Sequence, residues 1–330
     1  MSDAALFAAW RISAVLRHPV LHRRFLRRMR RWPDAAMPIH HADRVFWRKL
    51  FDRDPRFVTL SDKLAVRGWW AEHAPGVALP PLLWAGDRAE DIPPDLLRPG
   101  VVLKATHGSG WNLFCGDPPP PHAEAVATAR RWLADRWGQR HGEWAYAQVP
   151  PRLMIEELIL PPRGETLFDV KVHAGAGRPG LVQTQIGTGR PGAMGELLDP
   201  EGRRLGLGVP GLAPLPGGLL PPAGFAAAVA GAARLGEAFD YLRFDFLLHG
   251  ETLFAGEVTV FPSAGYRDYP VEPAASLMRA AWDLRRSWFL REGAWFLREG
   301  AWRQGWRAQA YAAALARGLG DDPPSRTGQG

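Results

Sequence analysis

The sequence predicts an α+β fold, a mixed strand-and-helix middle between helical extensions at both ends, long enough for one substantial core or for two lobes sharing an interface. Three observations predict it. Amphipathic helical spacing fills residues 1–75 and 271–317. The middle of the chain carries short apolar strands punctuated by Gly and Pro turns. On those strands polar residues recur at a spacing of two, so each strand has one apolar and one polar face. The division that follows is a mainly helical region at 1–75, a lobe with a glycine turn at 76–155, a lobe with a carboxylate pair at 156–275, C-terminal helices at 276–317 and a disordered tail at 318–330.

From the N-terminus, helices are expected near 4–31, 43–51 and 62–74, the last opening at Ser61 as N-cap. The first holds Arg11, Arg17, Arg23, Arg24, Arg27, Arg28, Arg30 and Arg31, interleaved with Ala9, Val15, Leu16, Leu21, Phe25 and Leu26. Two readings stand for it: a segment touching an anionic membrane or polymer, or a solvated helix face packed on its own domain. Loop signals at Pro75, Pro80 and Pro81 lead to the strand Val101-Val102-Leu103, which runs into Lys104-Ala-Thr-His107-Gly108-Ser109-Gly110-Trp-Asn112. After the proline run 118–121 come a helix at 122–137 and a strand at 153–160.

Alternation over 167–188 predicts a hairpin with Phe168, Val170 and Val172 on one face and Asp169, Lys171 and His173 on the other. The Gly/Pro-rich stretch 202–224 is expected as a long surface loop, followed by a helix at 225–239 and strands at 241–248 and 252–261. Helix is expected over 271–317, where Trp288–Ala294 is duplicated as 295–301. Seven residues are almost two helical turns, so the insert rotates the faces little, and it is assigned no function.

Composition narrows the class. A chain of 330 residues, 46% hydrophobic, is globular. With no apolar run near the roughly 18 residues of a membrane span and no secretory signal, no transmembrane segment and a cytoplasmic location are expected. The single cysteine, Cys115, excludes an internal disulfide and reads as a small buried hydrophobe. The net charge of +7 points to an anionic partner. Nucleic acid is not that partner, since no reading module accompanies the charge. Of 41 basic residues only Lys49, Lys63, Lys104 and Lys171 are lysine. A compact ammonium reaching a phosphate is one place where arginine does not substitute.

Three constellations carry chemistry. A strand delivering Lys104 to the turn 107–110 offers backbone N–H groups to a phosphate, although such turns also simply reverse a chain. The strand Met154-Ile155-Glu156-Glu157-Leu158-Ile159 is either a hinge between lobes, whose backbone pairs with a base, or a strand with an exposed acidic edge. Arg243 and Asp245 share one face of a strand, and Glu257 and Thr259 one face of the next. Their oxygens suit Mg²⁺, which takes one or two carboxylates plus substrate phosphates. A surface salt-bridge pair is the competing reading, opposed by the apolar Phe244, Phe246, Val258 and Val260 of the other face. Taking His249-Gly250-Glu251 as the connection, the strands are antiparallel, with Arg243 opposite Glu257 and Tyr241 opposite Thr259. A two-residue connection would scatter these side chains to opposite faces.

The order of pieces resembles the ATP-grasp fold and, within it, the TupA-like branch associated with teichuronopeptide and other polysaccharide biosynthesis. The resemblance spans roughly 45–275 and rests on Leu60-Ser-Asp-Lys63-Leu-Ala-Val-Arg67, Val102-Leu-Lys104 with His107-Gly-Ser-Gly110, Ile155-Glu-Glu157, Asp169-Val-Lys171, Arg243-Phe-Asp245 and Gly256-Glu-Val-Thr259. It implies two lobes clasping ATP. Lys63 and Lys104 would touch its phosphates, and His107, Gly108, Ser109 and Gly110 would close over them. Glu156, Glu157, Leu158 and Ile159 would form the adenine hinge. Asp169 would reach the ribose or phosphate side, and Lys171 the terminal phosphates. Asp245, Glu257 and Thr259 would sit at Mg²⁺, with Thr259 where many ATP-grasp ligases have Asn, and Arg243 would steady the reacting centre. The implied activity is a Mg-ATP-dependent ligase acting on a small-molecule or glycan carboxylate. Two other classes are weighed: a glycosyltransferase, from the loose Asp-x-Asp pattern of Asp52-Arg-Asp54, and a non-catalytic ATP-binding protein.

Overall fold

The computed structural model describes residues 2–189, 191–293 and 305–319. The Ser2 hydroxyl accepts the Ala5 N–H and opens helix α1 (Asp3–Arg17). The expected helix over 4–31 is two helices, because Pro19 fits only a first turn and so starts α2 (Pro19–Met29). Three more helices follow, α3 (His41–Leu50), α4 (Arg56–Ser61) and α5 (Ala65–His73). Ser61 ends α4 rather than capping the next helix. The Asp62 carboxylate accepts the Leu64 N–H at 2.9 Å in its place.

The first sheet has the order β1-β4-β2-β3, with β1 (Leu82–Gly86), β2 (Val101–Ala105), β3 (Asn112–Phe114) and β4 (Leu153–Glu157) all antiparallel. Neither β1, hidden behind Pro80 and Pro81, nor the three-residue β3 was expected from the sequence. Helix α6 (His122–Ala134) packs Ala125, Val126 and Ala129 with Val101, Leu103 and Ile155 into a small core that also buries Cys115. Two short helices, α7 (Trp137–His141) and α8 (Trp144–Gln148), lead back to β4.

The second sheet has six antiparallel strands in the order β10-β9-β5-β6-β7-β8. They are β5 (Phe168–Gly175), β6 (Arg178–Ile186), β7 (Met194–Leu198), β8 (Arg204–Gly208), β9 (Leu242–His249) and β10 (Thr252–Thr259). β8 lies inside the stretch expected as loop; its pairing with β7, Leu198 with Arg204 and Glu196 with Gly208, overrides a glycine-rich local sequence. Helix α9 (Phe225–Gly236) covers the apolar face formed by Phe168, Val170, Val172, Phe244 and Phe246. The edge strand β10 is closed by Ala78, which exchanges backbone hydrogen bonds with Leu253 and Ala255. The C-terminal region is helix in pieces, α10 (Ala274–Ala280) and α11 (Gly305–Gly318), with shorter turns between. The second copy of the duplicated heptad and the tail from 320 onward lie outside the described residues.

The hairpin β9–β10 departs from the expected register. His249 pairs with Thr252, so the loop is the two residues Gly250 and Glu251. The frame then shifts: Ala255 pairs with Phe246, but Val258 with Phe244 and Thr259 with Arg243. Gly256 and Glu257 thus both oppose Asp245, a β-bulge. The bulge adds a second one-residue offset to that of the short loop, so Arg243 lies opposite Thr259 rather than Glu257, and a total shift of two preserves the faces. It returns Glu257 and Thr259 to the face of Arg243 and Asp245, and Val258 to the core.

Helix α3 is tied to the large lobe by Arg48, fully buried, which donates to Asp240 at 2.7 Å and to the Val260 carbonyl at 3.0 Å and stacks on Trp282. At the start of the same helix, His41 is packed edge-on against His173, Tyr241, Tyr269 and Trp282, and burial drives its imidazole down to about 3. An unfolded histidine titrates near 6.5, so below that pH the unfolded chain takes up a proton that the fold refuses. The contribution is intact above pH 6.5 and is lost as pH falls toward 3. His41→Phe is expected to remove one proton's worth of the acid sensitivity in this window, about 1.4 kcal/mol per pH unit, read from urea midpoints measured between pH 7 and 4.

Candidate functional site

The polar face of the six-stranded sheet looks toward the small sheet, and between them lie two adjoining cavities. They share Pro80, Lys104, Glu156, Asp169 and Leu247 as a common wall. The larger, ≈ 520 Å³, is lined mainly by apolar groups: Phe114, Ile186 and Met194 from the two sheets, and Leu158, Ile159 and Leu167 from the segment that joins β4 to β5. The smaller, ≈ 190 Å³, is lined by charge: Lys63, Arg67, Lys104 and Lys171 against Glu156, Asp169, Asp245 and Glu257. One chamber is thus mainly apolar and the next charged, with four cations facing four carboxylates.

The strands place these groups by alternation. β5 and β9 pair Asp169 with Leu247, Lys171 with Asp245 and His173 with Arg243. The Lys171 ammonium bridges Asp169, at 2.6 Å, and Asp245, at 2.9 Å. Arg243 donates to both oxygens of Asp245 at 2.6 Å and to the Thr259 hydroxyl at 2.9 Å. Burial alone would raise the Asp245 carboxyl, but Arg243 and Lys171 outweigh it and hold it below the usual carboxylate range. Burial likewise opposes the charge of Lys171, and its two carboxylates outweigh that and raise it. Glu257, on the bulge, accepts the Tyr146 hydroxyl at 3.2 Å.

On the small sheet Lys104 forms an ion pair with Glu156, whose other oxygen meets Arg67 at 3.4 Å. Glu157 faces outward to Arg98 at 3.2 Å, and the Leu158 N–H is bonded to the Gly100 carbonyl. Lys63 differs from the other cations. It is half-buried, and its hydrogen-bond partner among the described residues is the Gly108 carbonyl. Burial pushes its ammonium down, with Glu257 acting in the opposite sense. A half-buried cation with no carboxylate bonded to it among the described residues is a place where an anionic ligand gains.

The glycine turn is braced rather than open along its length. The His107 ring, in contact with Trp111, meets the Trp132 carbonyl at 3.0 Å. A side chain at Gly108 would strike the Trp111 ring at 2.5 Å. Ser109 and Gly110 are exposed. The fourth lysine, Lys49, is structural: it donates to the carbonyls of His141 and Ala264. The Asp-x-Asp pair is spent on the fold, with Asp52 fully buried and accepting the Phe289 N–H, and Asp54 clamping Arg56.

Sequence reasoning gave no role to Tyr146, Arg67 or Leu247. Arg67 stood in a quoted motif without an assignment, and Tyr146 lies on a five-residue helix too short for periodicity to reveal. Only the folded hairpin shows that Tyr146 reaches Glu257.

The family model of the TupA-like ATPgrasp proteins matches residues 43–273. The chain belongs to this family. Among solved structures it is similar to D-alanine–D-alanine ligase from Bacillus anthracis complexed with ATP (14% identity, TM-score 0.35, 62% of this chain and 56% of that one). It is also similar to phosphoribosylamine–glycine ligase from Thermotoga maritima (13%, TM-score 0.38, 66% and 53%). A third similar structure is the ATP-grasp ligase PsnB with minimal precursor, Mg and ADP (14%, TM-score 0.36, 70% and 60%). The match thus spans less than two thirds of each of these chains. No curated protein matches the chain.

The donor set fits the groups that this family implies. Asp245 and Glu257 oppose each other across the bulge, and Mg²⁺ asks for one or two carboxylates, the rest coming from phosphates and water. Among the described residues no three His, Cys, Asp or Glu side chains gather into a closed metal cage. No helix among them is long and apolar enough to cross a membrane.

Proposed function

We propose that the protein is an ATP-dependent ligase that passes the γ-phosphoryl group of ATP to a carboxylate and lets an amine or hydroxyl displace it. The observation that supports it most is the charged chamber, where four cations line one small cavity and one of them, Lys63, has no bonded carboxylate among the described residues. In this reading Glu156, Glu157, Leu158 and Ile159 border the base. Lys63, Lys104 and the turn 107–110 hold phosphates, and Asp169 and Lys171 continue the row. Asp245, Glu257 and Thr259 hold Mg²⁺. When bound, the ion disperses charge on the transferring phosphoryl group. A carboxylate oxygen bonds to the γ-phosphorus as the bond to the ADP oxygen breaks. The amine or hydroxyl then bonds to the acyl carbon, inorganic phosphate leaves, and the nucleophile's proton goes to solvent. Arg243, held by Asp245 and Thr259, faces that reacting centre with a fixed positive charge.

The acceptor in this reading is a small molecule or glycan carrying a carboxylate, such as a uronic acid in polysaccharide biosynthesis, handled in the cytoplasm. The basic N-terminus stands outside the nucleotide chamber and is free to meet an anionic membrane or polymer.

Lys104→Met tests the nucleotide assignment. The ATP Kd is expected to rise about tenfold or more, the 1.4 kcal/mol of one charge-assisted contact. A change of less than about twofold, measured by calorimetry on a folded variant, would overturn it.

A further inference from the structure

The N-terminal helices present a surface that the ligase reading does not use. Eight arginines against one acid, Asp3, give residues 1–32 the entire +7 excess of the chain, so the remaining residues are balanced. Six of those arginines fall into two groups, while Arg28 lies over the Tyr266 ring. Arg11 is paired with Asp34, Arg31 with Asp43 and Asp268, and Arg24 bonds the Arg140 carbonyl. Arg23, Arg27 and Arg30 are exposed, spaced by three and four along α2 and its C-cap, with no acidic partner among the described residues.

Beside them the helices expose apolar side chains instead of burying them. The inward faces pack Leu6, Ala14, His22 and Phe25. Outward stand Ile12 at 62%, Leu16 at 76% and Val20 at 57% exposure, each four residues from the next across the joint between the helices, with Trp32 at 58% just beyond α2. The packed-helix reading accounts for the inward face, and the outward face remains to be explained. A solvated face would carry charge at these positions, and a soluble polyanion would need only the arginines. Large aliphatic groups in water next to unpaired arginines match an anionic lipid surface, which takes both.

We propose that α1 and α2 dock the protein on an anionic bilayer, Ile12, Leu16, Val20 and Trp32 entering the headgroup boundary and Arg23, Arg27 and Arg30 meeting lipid phosphates. The proposal is independent of the ligase reading, because binding is measured without ATP or acceptor.

The full-length protein is sedimented with vesicles of phosphatidylglycerol and phosphatidylcholine in equal parts, and with phosphatidylcholine alone. Binding to the mixed vesicles only is expected, weakening as salt rises from about 0.05 to about 0.5 M and the screening length shortens roughly threefold. Arg23→Gln with Arg27→Gln is expected to lower the partition coefficient about tenfold or more. Ile12→Ser with Leu16→Ser is expected to do the same through lost insertion. These side chains are exposed, so ATP affinity and circular dichroism should match the parent and certify the fold. Absence of vesicle binding would overturn the proposal. So would a serine pair that binds as the parent does while the glutamine pair does not, since that pattern marks a soluble polyanion as the partner.

Discussion

Glu257→Gln is expected to cut turnover by about 10²–10³-fold or more, the scale of removing one electrostatic stabiliser from a preorganised site, while leaving the fold intact. The side chain is half-buried and its bonded neighbour is the Tyr146 hydroxyl, a donor that a glutamine carbonyl still satisfies. The substitution creates no cavity, so stability should move by less than about 1 kcal/mol. What disappears is one negative charge facing Lys63 and standing across the strand from Asp245. Asp245 cannot take over alone, because Arg243 and Lys171 already hold its two oxygens. Single-turnover ADP release across a Mg²⁺ titration measures the effect, and Tyr146→Phe serves as the control that removes the hydrogen bond but keeps the charge. A Glu257→Gln enzyme as active as its parent would remove Glu257 from the metal assignment.

The strands of the site were legible because alternation is a strong signal when one face is buried. Phe168, Val170 and Val172 had to turn inward, and that alone sent Asp169 and Lys171 to the opposite face. The two lobes and the family were legible from motifs for the same reason. The less legible parts depend on partners distant in sequence. β8 exists because β7 offers it an edge, and its own glycines argue against it. The break at His18 was visible in Pro19 but masked by the continuous arginine pattern across it. At Ser61 a good cap residue was outcompeted by a neighbouring aspartate, a choice between adjacent positions that local preference does not resolve. The register of β9 and β10 departed from expectation at the loop and again at the bulge, two one-residue offsets that add to two and so keep the faces, and that no propensity scale contains.

The bulge makes Gly256 the residue on which the site most depends without touching a ligand. Its conformation is not left-handed, so the constraint is space. A β-carbon there would lie 2.7 Å from the Asp245 carbonyl oxygen and 3.2 Å from its carbonyl carbon, backbone atoms of the paired strand that cannot rotate away. Gly256→Ala must therefore push β10 off β9 at the level of Asp245. Overpacking of this kind costs about 1–3 kcal/mol, and a shift of about 1 Å at a reacting centre costs about 10²-fold in rate. The expected result is a folded protein with a lowered melting temperature, a loss of ATP-dependent turnover far larger than its loss of stability, and a weakened Mg²⁺ dependence of nucleotide binding, because Glu257 and Asp245 no longer face each other. Gly68→Ala is the control: Gly68 lies within helix α5, and an added methyl there meets nothing within 4 Å. It should gain roughly 0.5–1 kcal/mol from helix propensity and keep full activity. If Gly256→Ala turned over as fast as the Gly68→Ala protein, the bulge would not be what positions Glu257, and the carboxylate pair would have to be assembled some other way.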